Sequence, residues 1–365
     1  MQTSAGTVQV KREGAYALKK FMQTLQVAFT YMGTVVGAGF ATGQEILQFF
    51  TRFGSLAALS IVLTTLLIGW LGTKILLMSR EIGAASYEDL NRYLFGDRAG
   101  RWISLLSMLN LFSVSAVMLA GAGSVFHEQL GLSYNIGLAL TMIATLLLLS
   151  RGISSIMAVN SLVVPVMLVY TVIVVIVTST QPTAGSWLSL SSAESPLKMI
   201  AYAFLYVAGN LALAQAVLVP IGSRIQDRVV LHAGGWLGGL GIGFMLLAGH
   251  FALSAHMPGI LRFEIPMGHT VAILGSTIQM LVLFVIFAEI FTTLLSDVYG
   301  LTLQIRQHTG WNPLLTIALI LIACYFISQI GFSRLLSVLY PLFGLISLLW
   351  LAMIFMKKPA SSDGP

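Results

Sequence analysis

The sequence predicts an all-α polytopic membrane protein of ten transmembrane helices, arranged as two inverted halves of five. Three observations predict it. The 365-residue chain is 57% hydrophobic and only 9% charged, whereas a water-facing surface needs roughly 25% charged residues. Ten apolar runs approach the roughly 20 residues that a bilayer crossing takes. A small-residue motif in the first run returns in the sixth. This composition excludes a soluble enzyme, a disordered chain and a nucleic-acid module. The net charge of +6 does not restore the last of these, because the basic residues lie in short segments between apolar runs.

The expected spans are 20–50, 56–79, 102–127, 134–150, 153–178, 197–222, 229–254, 276–305, 312–330 and 334–356. The basic residues orient them. One side collects Lys11, Arg12, Lys19, Lys20, Lys74, Arg80, Arg92, Arg98, Arg101, Arg151, Arg224, Arg228, Arg306, Lys357 and Lys358, which is 15 of the 19. The other side has Arg52, Lys198, Arg262 and Arg334. The positive-inside bias then puts both termini in the cytoplasm, as an even number of spans requires. The expected location is a bacterial cytoplasmic (inner) membrane. The divisions follow: tail 1–19, first repeat 20–178, extracellular loop 179–196, second repeat 197–356, tail 357–365. Ser86–Leu94 is expected to form a short interfacial helix and 262–275 an outer cap.

Within the first span, GTVVGAGFATG (33–43) places Gly37, Ala38 and Gly39 mid-membrane among polar Thr34, Thr42, Gln44 and Glu45. A packing stripe of small residues would stay apolar. A break in the helix instead exposes backbone groups that polar neighbours and a solvated cavity can satisfy. Shifted by 171 residues, GAGFATGQ (37–44) lies over AGNLALAQ (208–215) in the sixth span. Five helices per half make the halves inverted, and inverted repeats with broken first helices mark a secondary transporter whose substrate sits between the breaks. The sequence therefore predicts interrupted first and sixth helices.

At such a break the restarting half-helix offers free N–H groups and a positive dipole end to an anion. The half that stops offers carbonyls to an ammonium group or a cation. The expected substrate-binding set is Gly37, Ala38, Gly39 and Phe40 with Tyr206, Val207, Ala208, Gly209 and Asn210, the last through its side chain. A zwitterion suits the two together.

The run GTVVGAGF (33–40) resembles the first-helix motif of the amino acid–polyamine–organocation superfamily, whose members share the LeuT-type five-plus-five inverted repeat. With GTVVGAGFATGQEILQFF, EIPMGH (264–269) and LYPLFG (339–344), the chain is similar to the YkvI-like family of bacterial amino acid permeases. The resemblance implies a LeuT-like fold and movement of an amino acid or related amine. It also implies that Gly33 and Val36 offer carbonyls to a sodium ion that takes two hydroxyls from Thr292 and Thr293. Phe40 stands where some relatives use an asparagine for a second sodium ion, so a second sodium site is not expected.

Three acids lie inside expected spans. Glu289, Thr293, Ser296 and Asp297 share one face of the eighth helix, and a bare carboxylate at its middle is costly. Glu289 and Asp297 are either an internal hydrogen-bond seam or a proton or cation path. Glu45 either locks a helix or contacts an outer gate or substrate. The function expected is secondary active transport coupled to Na+ or H+, with an ion channel or a non-transporting receptor or assembly protein as alternatives. No cofactor is expected beyond the coupling ion. The expected partners are the small-molecule substrate and the bilayer, with no nucleic acid. No G-x-x-x-x-G-K-[ST] motif suggests ATP, and no Ser/His/Asp set suggests an enzyme.

Overall fold

Hydrocarbon offers a backbone no hydrogen-bond partner, so a chain this apolar must satisfy its peptide groups within helices. The computed structural model describes residues 3–192, 194–263, 266–271, 276–330 and 347–357, and among them it contains helices and no strands. The first helix, α1, spans Thr3–Val35 and stops at Val36–Gly37. Two short helices follow, α2 (Ala38–Thr42) and α3 (Gln44–Phe49), parted by Gly43 at φ 87°. That left-handed conformation is one only glycine adopts without strain. A 3₁₀ turn over Thr51–Leu56 leads into α4 (Ala57–Ile82).

Next comes α5 (Tyr87–Leu130), started by a capping box in which Ser86 and Asp89 satisfy each other's backbone N–H groups. Gly96, at φ 79°, parts its first residues from the long helix, which gives the short helix expected at Ser86–Leu94. Helices α6 (Tyr134–Leu149), α7 (Ile153–Ser179), α8 (Ser186–Ser189), α9 (Pro196–Arg224) and α10 (Arg228–Ser254) follow. A 3₁₀ turn at Gly259–Arg262 and α11 (Pro266–Val271) occupy the expected cap. Then come α12 (Ser276–Thr309), α13 (Pro313–Ser328) and α14 (Ser347–Met356).

Among the described residues, six helical stretches are long and apolar enough to cross a membrane: Thr51–Ile82, Tyr87–His127, Ile153–Ser179, Pro196–Arg224, Arg228–Ser254 and Met280–Thr309. Helices α6, α13 and α14 are apolar but shorter. The first expected span is divided by the break. Of the tenth expected span, 334–346 lies outside the described residues, as does LYPLFG (339–344).

Packing separates two bodies. Helices α1, α4, α9 and α10 pack on one another, α1 on α10 and α4 on α9, as a two-fold exchange of the halves requires. Helices α5, α6, α12 and α13 form the second body, and α7 touches both. Glycine makes the first body tight. A side chain on Gly239 of α10 would run into the backbone of Gly69 on α4. Tyr31 of α1, fully buried, lies where side chains on Gly72 and Gly238 would be, and its hydroxyl donates to the Ile68 carbonyl at 2.7 Å.

Two expectations about the breaks are corrected. The sixth helix is not interrupted, since α9 winds continuously from Pro196 to Arg224. Gly209 is its one glycine near the expected break, and a lone helical glycine costs only about 1 kcal/mol. Asn210 reinforces the helix, its Nδ2 donating to the Tyr206 carbonyl one turn back at 3.0 Å. In the first helix the break is present, but no long half-helix restarts beyond it. Gly43 divides that half after five residues, so its aligned dipole is short.

Candidate functional site

The site is built from the opened end of α1. Val36 still donates its N–H to the Met32 carbonyl at 2.8 Å, which closes the last helical bond. Gly37 then turns to an extended conformation, φ −116° and ψ −172°, and accepts from Phe40 and Ala41, both at 3.0 Å. Among the described hydrogen bonds none ends on the carbonyls of Gly33, Thr34, Val35 or Val36. These are the orphan acceptors every helix end leaves, here placed inside the fold, with Gly33 to Val36 all buried.

Two elements close on this end. Helix α12 brings Thr293, whose Oγ1 lies 3.4 Å from the position a β-carbon on Gly37 would take. Thr293 is 7% exposed, and its hydroxyl is without a partner among the described residues. Of the expected threonine pair, Thr293 therefore faces the break. Thr292 turns its hydroxyl back to the Glu289 carbonyl at 3.2 Å. Helix α7 brings Asn160, completely buried, against Gly33, where any side chain on the glycine would overlap Asn160 Oδ1.

The acid stripe on α12 is buried throughout: Glu289, Ser296 and Asp297 are each at most 2% exposed. Neither Glu289 carboxylate oxygen has a hydrogen-bond partner among the described residues, and Asp297 Oδ2 has none. A buried carboxylate without a donor favours its protonated form or a bound cation. Among the described residues no group of three or more His, Cys, Asp or Glu side chains is placed to hold a metal ion.

The α9 residues expected at the site meet it differently. Tyr206, Val207 and Ala208 are buried inside a continuous helix, so their carbonyls are spent on helical hydrogen bonds and offer no cation site. This follows from the missing second break. Tyr206 instead packs edge-on against Phe50 and Phe49, with ring centres 5.0 and 5.4 Å apart. Gly209 and Asn210 are partly exposed. The Asn210 amide nitrogen is taken by the Tyr206 carbonyl, leaving its carbonyl oxygen as the group it can present.

Beyond the break, Phe40 and Ala41 are buried, and the Glu45 carboxylate lies against Gly39, filling the space a side chain there would need. Nothing is described of the Ala38 side chain. An apolar pocket of about 20 Å³ opens beside Phe40 and Ile46, walled by Tyr170 of α7 and Met245 of α10 and covered by Met267 of α11. It has room for about one water. The cap is tied down by Gln44, whose Nε2 donates to the Phe263 carbonyl at 3.0 Å. Of EIPMGH, residues 264–265 lie outside the described residues.

No family model matches the chain. The uncharacterized membrane protein YkvI of Bacillus subtilis (strain 168) is 38% identical to it over 336 residues, covering 91% of this chain and 95% of the relative. The chain belongs to the YkvI family. Solved structures similar to this family member include MhsT in complex with L-phenylalanine, at a TM-score of 0.62 and 17% identity over 92% of each chain. A substrate-bound, outward-open Na+-coupled sialic acid symporter superposes at 0.67 with 14% identity, covering 92% of this chain and 79% of that one. At such identities these likenesses establish the fold, which is the LeuT-type arrangement the first-helix motif implied.

Sequence reasoning left one feature of this YkvI-family chain half-read and missed another. Asn160 reads from the sequence as helix-to-helix glue on a helix that flanks the ion site of the LeuT-type fold, and the structure sets it directly on Gly33. On the opposite face, Arg52 and Lys198 both bind Glu194, at 2.5 and 2.6 Å, and Arg52 also lies 5.3 Å from the Tyr202 ring centre. That clip joins residues 142 apart in sequence, and the single charge of the 179–196 loop, Glu194, gives no local pattern that pairs it with Arg52.

Proposed function

We propose that this chain is a secondary transporter that moves a small amino acid or related amine across the cytoplasmic membrane, coupled to sodium. The observation that carries the reading is the opening of α1 at Val36–Gly37 directly against the unpartnered Thr293 hydroxyl. Carbonyls of an unwound helix and a hydroxyl from a facing helix are hard, neutral oxygen ligands of the kind that hold an alkali cation. Gly33 and Val36 supply the carbonyls and Thr293 the hydroxyl, with Thr292 adjoining. The site joins the first body to the second, so a cation there biases their relative position, which is what coupling requires.

On this reading the substrate lies on the far side of the same break, at Gly37, Ala38, Gly39 and Phe40, with Gly209 and the free amide oxygen of Asn210 as what α9 would offer it. Support for an amino acid comes from the neighbour MhsT, solved with L-phenylalanine. The asymmetry of basic residues supports cytoplasmic termini. The reading assigns no catalysis to the chain. Its test is uptake of a panel of labelled amino acids and amines into proteoliposomes under imposed sodium or proton gradients. Accumulation driven by sodium supports it. A folded protein that accumulates and exchanges no member of the panel overturns it.

One observation favours a second reading, in which protons replace sodium: on the buried face of α12, both carboxylate oxygens of Glu289 and Oδ2 of Asp297 have no hydrogen-bond partner among the described residues. The same assay separates the two, because proton coupling gives uptake driven by pH in the absence of sodium.

A further inference from the structure

Asn160 has one amide and two polar ends, and the structure accounts for only one of them. Its Nδ2 donates to the Ile156 carbonyl at 3.0 Å, one turn back on α7. A carbonyl can only accept, so this bond fixes the amide and sends Oδ1 the other way. Oδ1 then points at the backbone of Gly33 and has no hydrogen-bond partner among the described residues. The residue is completely buried, and a buried carbonyl oxygen without a donor is a rare and costly arrangement in a folded protein. Nothing from α1 can repair it. The orphan groups at the end of α1 that face it are themselves acceptors, and the glycine brings no side chain. Thr293, whose hydroxyl reaches the same break from α12, is also unpartnered.

Asn160 Oδ1 beside Gly33, the open carbonyls of α1 and the Thr293 hydroxyl beside Gly37 all border this end of the helix, and only the hydroxyl carries a hydrogen, so a cation among them would satisfy them together. We infer that Asn160 Oδ1 is a ligand of the coupling cation, so that α7 completes the site formed by α1 and α12. The inference rests on the sodium-coupled reading and extends it to a residue outside the expected threonine and carbonyl set. It also gives Gly33 a reason to be glycine, since a methyl group there would occupy the space between Oδ1 and the α1 backbone. A neutral amide oxygen suits a weakly held monovalent ion that must leave again on each cycle, where a carboxylate would hold it more tightly.

The test uses the purified full-length protein in detergent, melted at increasing NaCl with choline chloride holding ionic strength constant. Specific binding to the folded state raises the melting temperature by mass action. Wild type should be stabilised by sodium, and Thr293→Ala should need about tenfold more of it. Asn160→Leu is near in size and removes the orphan oxygen, so it should melt no lower than wild type without sodium and lose most of the sodium response. Structural glue would give the reverse, a lower melting point with the sodium midpoint unchanged. Asn160→Asp should respond to sodium at neutral pH and lose the response on acidification, as its carboxyl takes a proton. If wild type and Thr293→Ala behave as stated while Asn160→Leu keeps the wild-type midpoint, the Asn160 assignment falls and the sodium site stands. Should Asn160→Leu fail to fold, a pH-independent, wild-type sodium response of Asn160→Asp overturns it instead. Absence of any sodium response in wild type removes both.

Discussion

Thr293 of α12 turns its hydroxyl toward Gly37 of α1, 3.4 Å from where a β-carbon would stand, and this contact fixes what each residue can be. Gly37 has φ −116° and ψ −172°, an extended conformation that alanine adopts as readily. Neither backbone freedom nor crowding therefore demands glycine here, because a β-carbon would make only an ordinary contact with the hydroxyl; what it would fill is the space a cation would use. Gly37→Ala should fold and melt close to wild type, yet place a methyl group against the Thr293 hydroxyl. The expected result is sodium binding weakened about tenfold or more, read as the sodium midpoint of thermal stabilisation. A wild-type midpoint in Gly37→Ala would place the cation elsewhere.

The continuous α9 makes a prediction of the opposite sign at another glycine. Gly209 lies inside the helix, and a β-carbon there meets nothing within 4 Å. Alanine is the better helix former by about 1 kcal/mol, so Gly209→Ala should melt at or above the wild-type temperature. Were α9 unwound at this point, alanine would bring no such gain. Gly239→Ala is the contrasting case. Its methyl would meet the Gly69 backbone, which cannot rotate away, so α4 and α10 must part. The expected loss is about 1–3 kcal/mol, visible as a lower melting temperature in the same detergent.

Why one break was legible in the sequence and the other was not follows from what the residues can bond. Around Gly37 the chain has glycines spaced through eleven residues and polar groups on both sides, so a helix there is weak and its exposed backbone has company. The segment Ala208–Gly209–Asn210 stands in register with Gly37–Ala38–Gly39, and the alignment of the two halves rested on small residues and on the matches Ala41 with Ala212 and Gln44 with Gln215. It did not weigh Asn210, whose amide returns to the Tyr206 carbonyl and strengthens the turn that should have opened. Thr293 was legible as part of a polar stripe on α12. Asn160 was legible only as helix-to-helix glue on a helix that the family resemblance places beside the ion site; its contact with Gly33 joins residues far apart in sequence, which no local pattern encodes.

The acid stripe on α12 gives a prediction that separates the two ions. Glu289 is completely buried, and neither carboxylate oxygen has a partner among the described residues, so Glu289→Gln keeps its shape and removes only its ability to ionise. Under sodium coupling, Glu289→Gln should retain sodium-driven uptake within about threefold, a change near 0.6–0.7 kcal/mol. Under proton coupling it should abolish uptake driven by pH while leaving exchange of internal for external substrate. Proteoliposomes loaded with substrate distinguish these outcomes directly.

On the face opposite the N-terminus, the clip of Arg52, Glu194 and Lys198 predicts a pH dependence whose sign is set by Glu194. Hydrogen bonds from Lys198, and then from Arg52, hold its carboxyl below its ordinary value of 4.5. A carboxylate depressed in the folded state adds stability that is complete above the unfolded value. That stability is lost as the pH falls through the folded one, because both states are then protonated. Glu194→Gln lacks this contribution at every pH. The melting temperatures of wild type and Glu194→Gln should therefore differ by a constant amount well above the ordinary carboxylate value of 4.5, and converge as the pH falls below it and through the depressed folded value. Both carboxylate partners are partly exposed, so the gap should also shrink at about 1 M salt, where the screening length is near 3 Å. A gap that persists unchanged at low pH would mean that Glu194 contributes through packing and not through its charge.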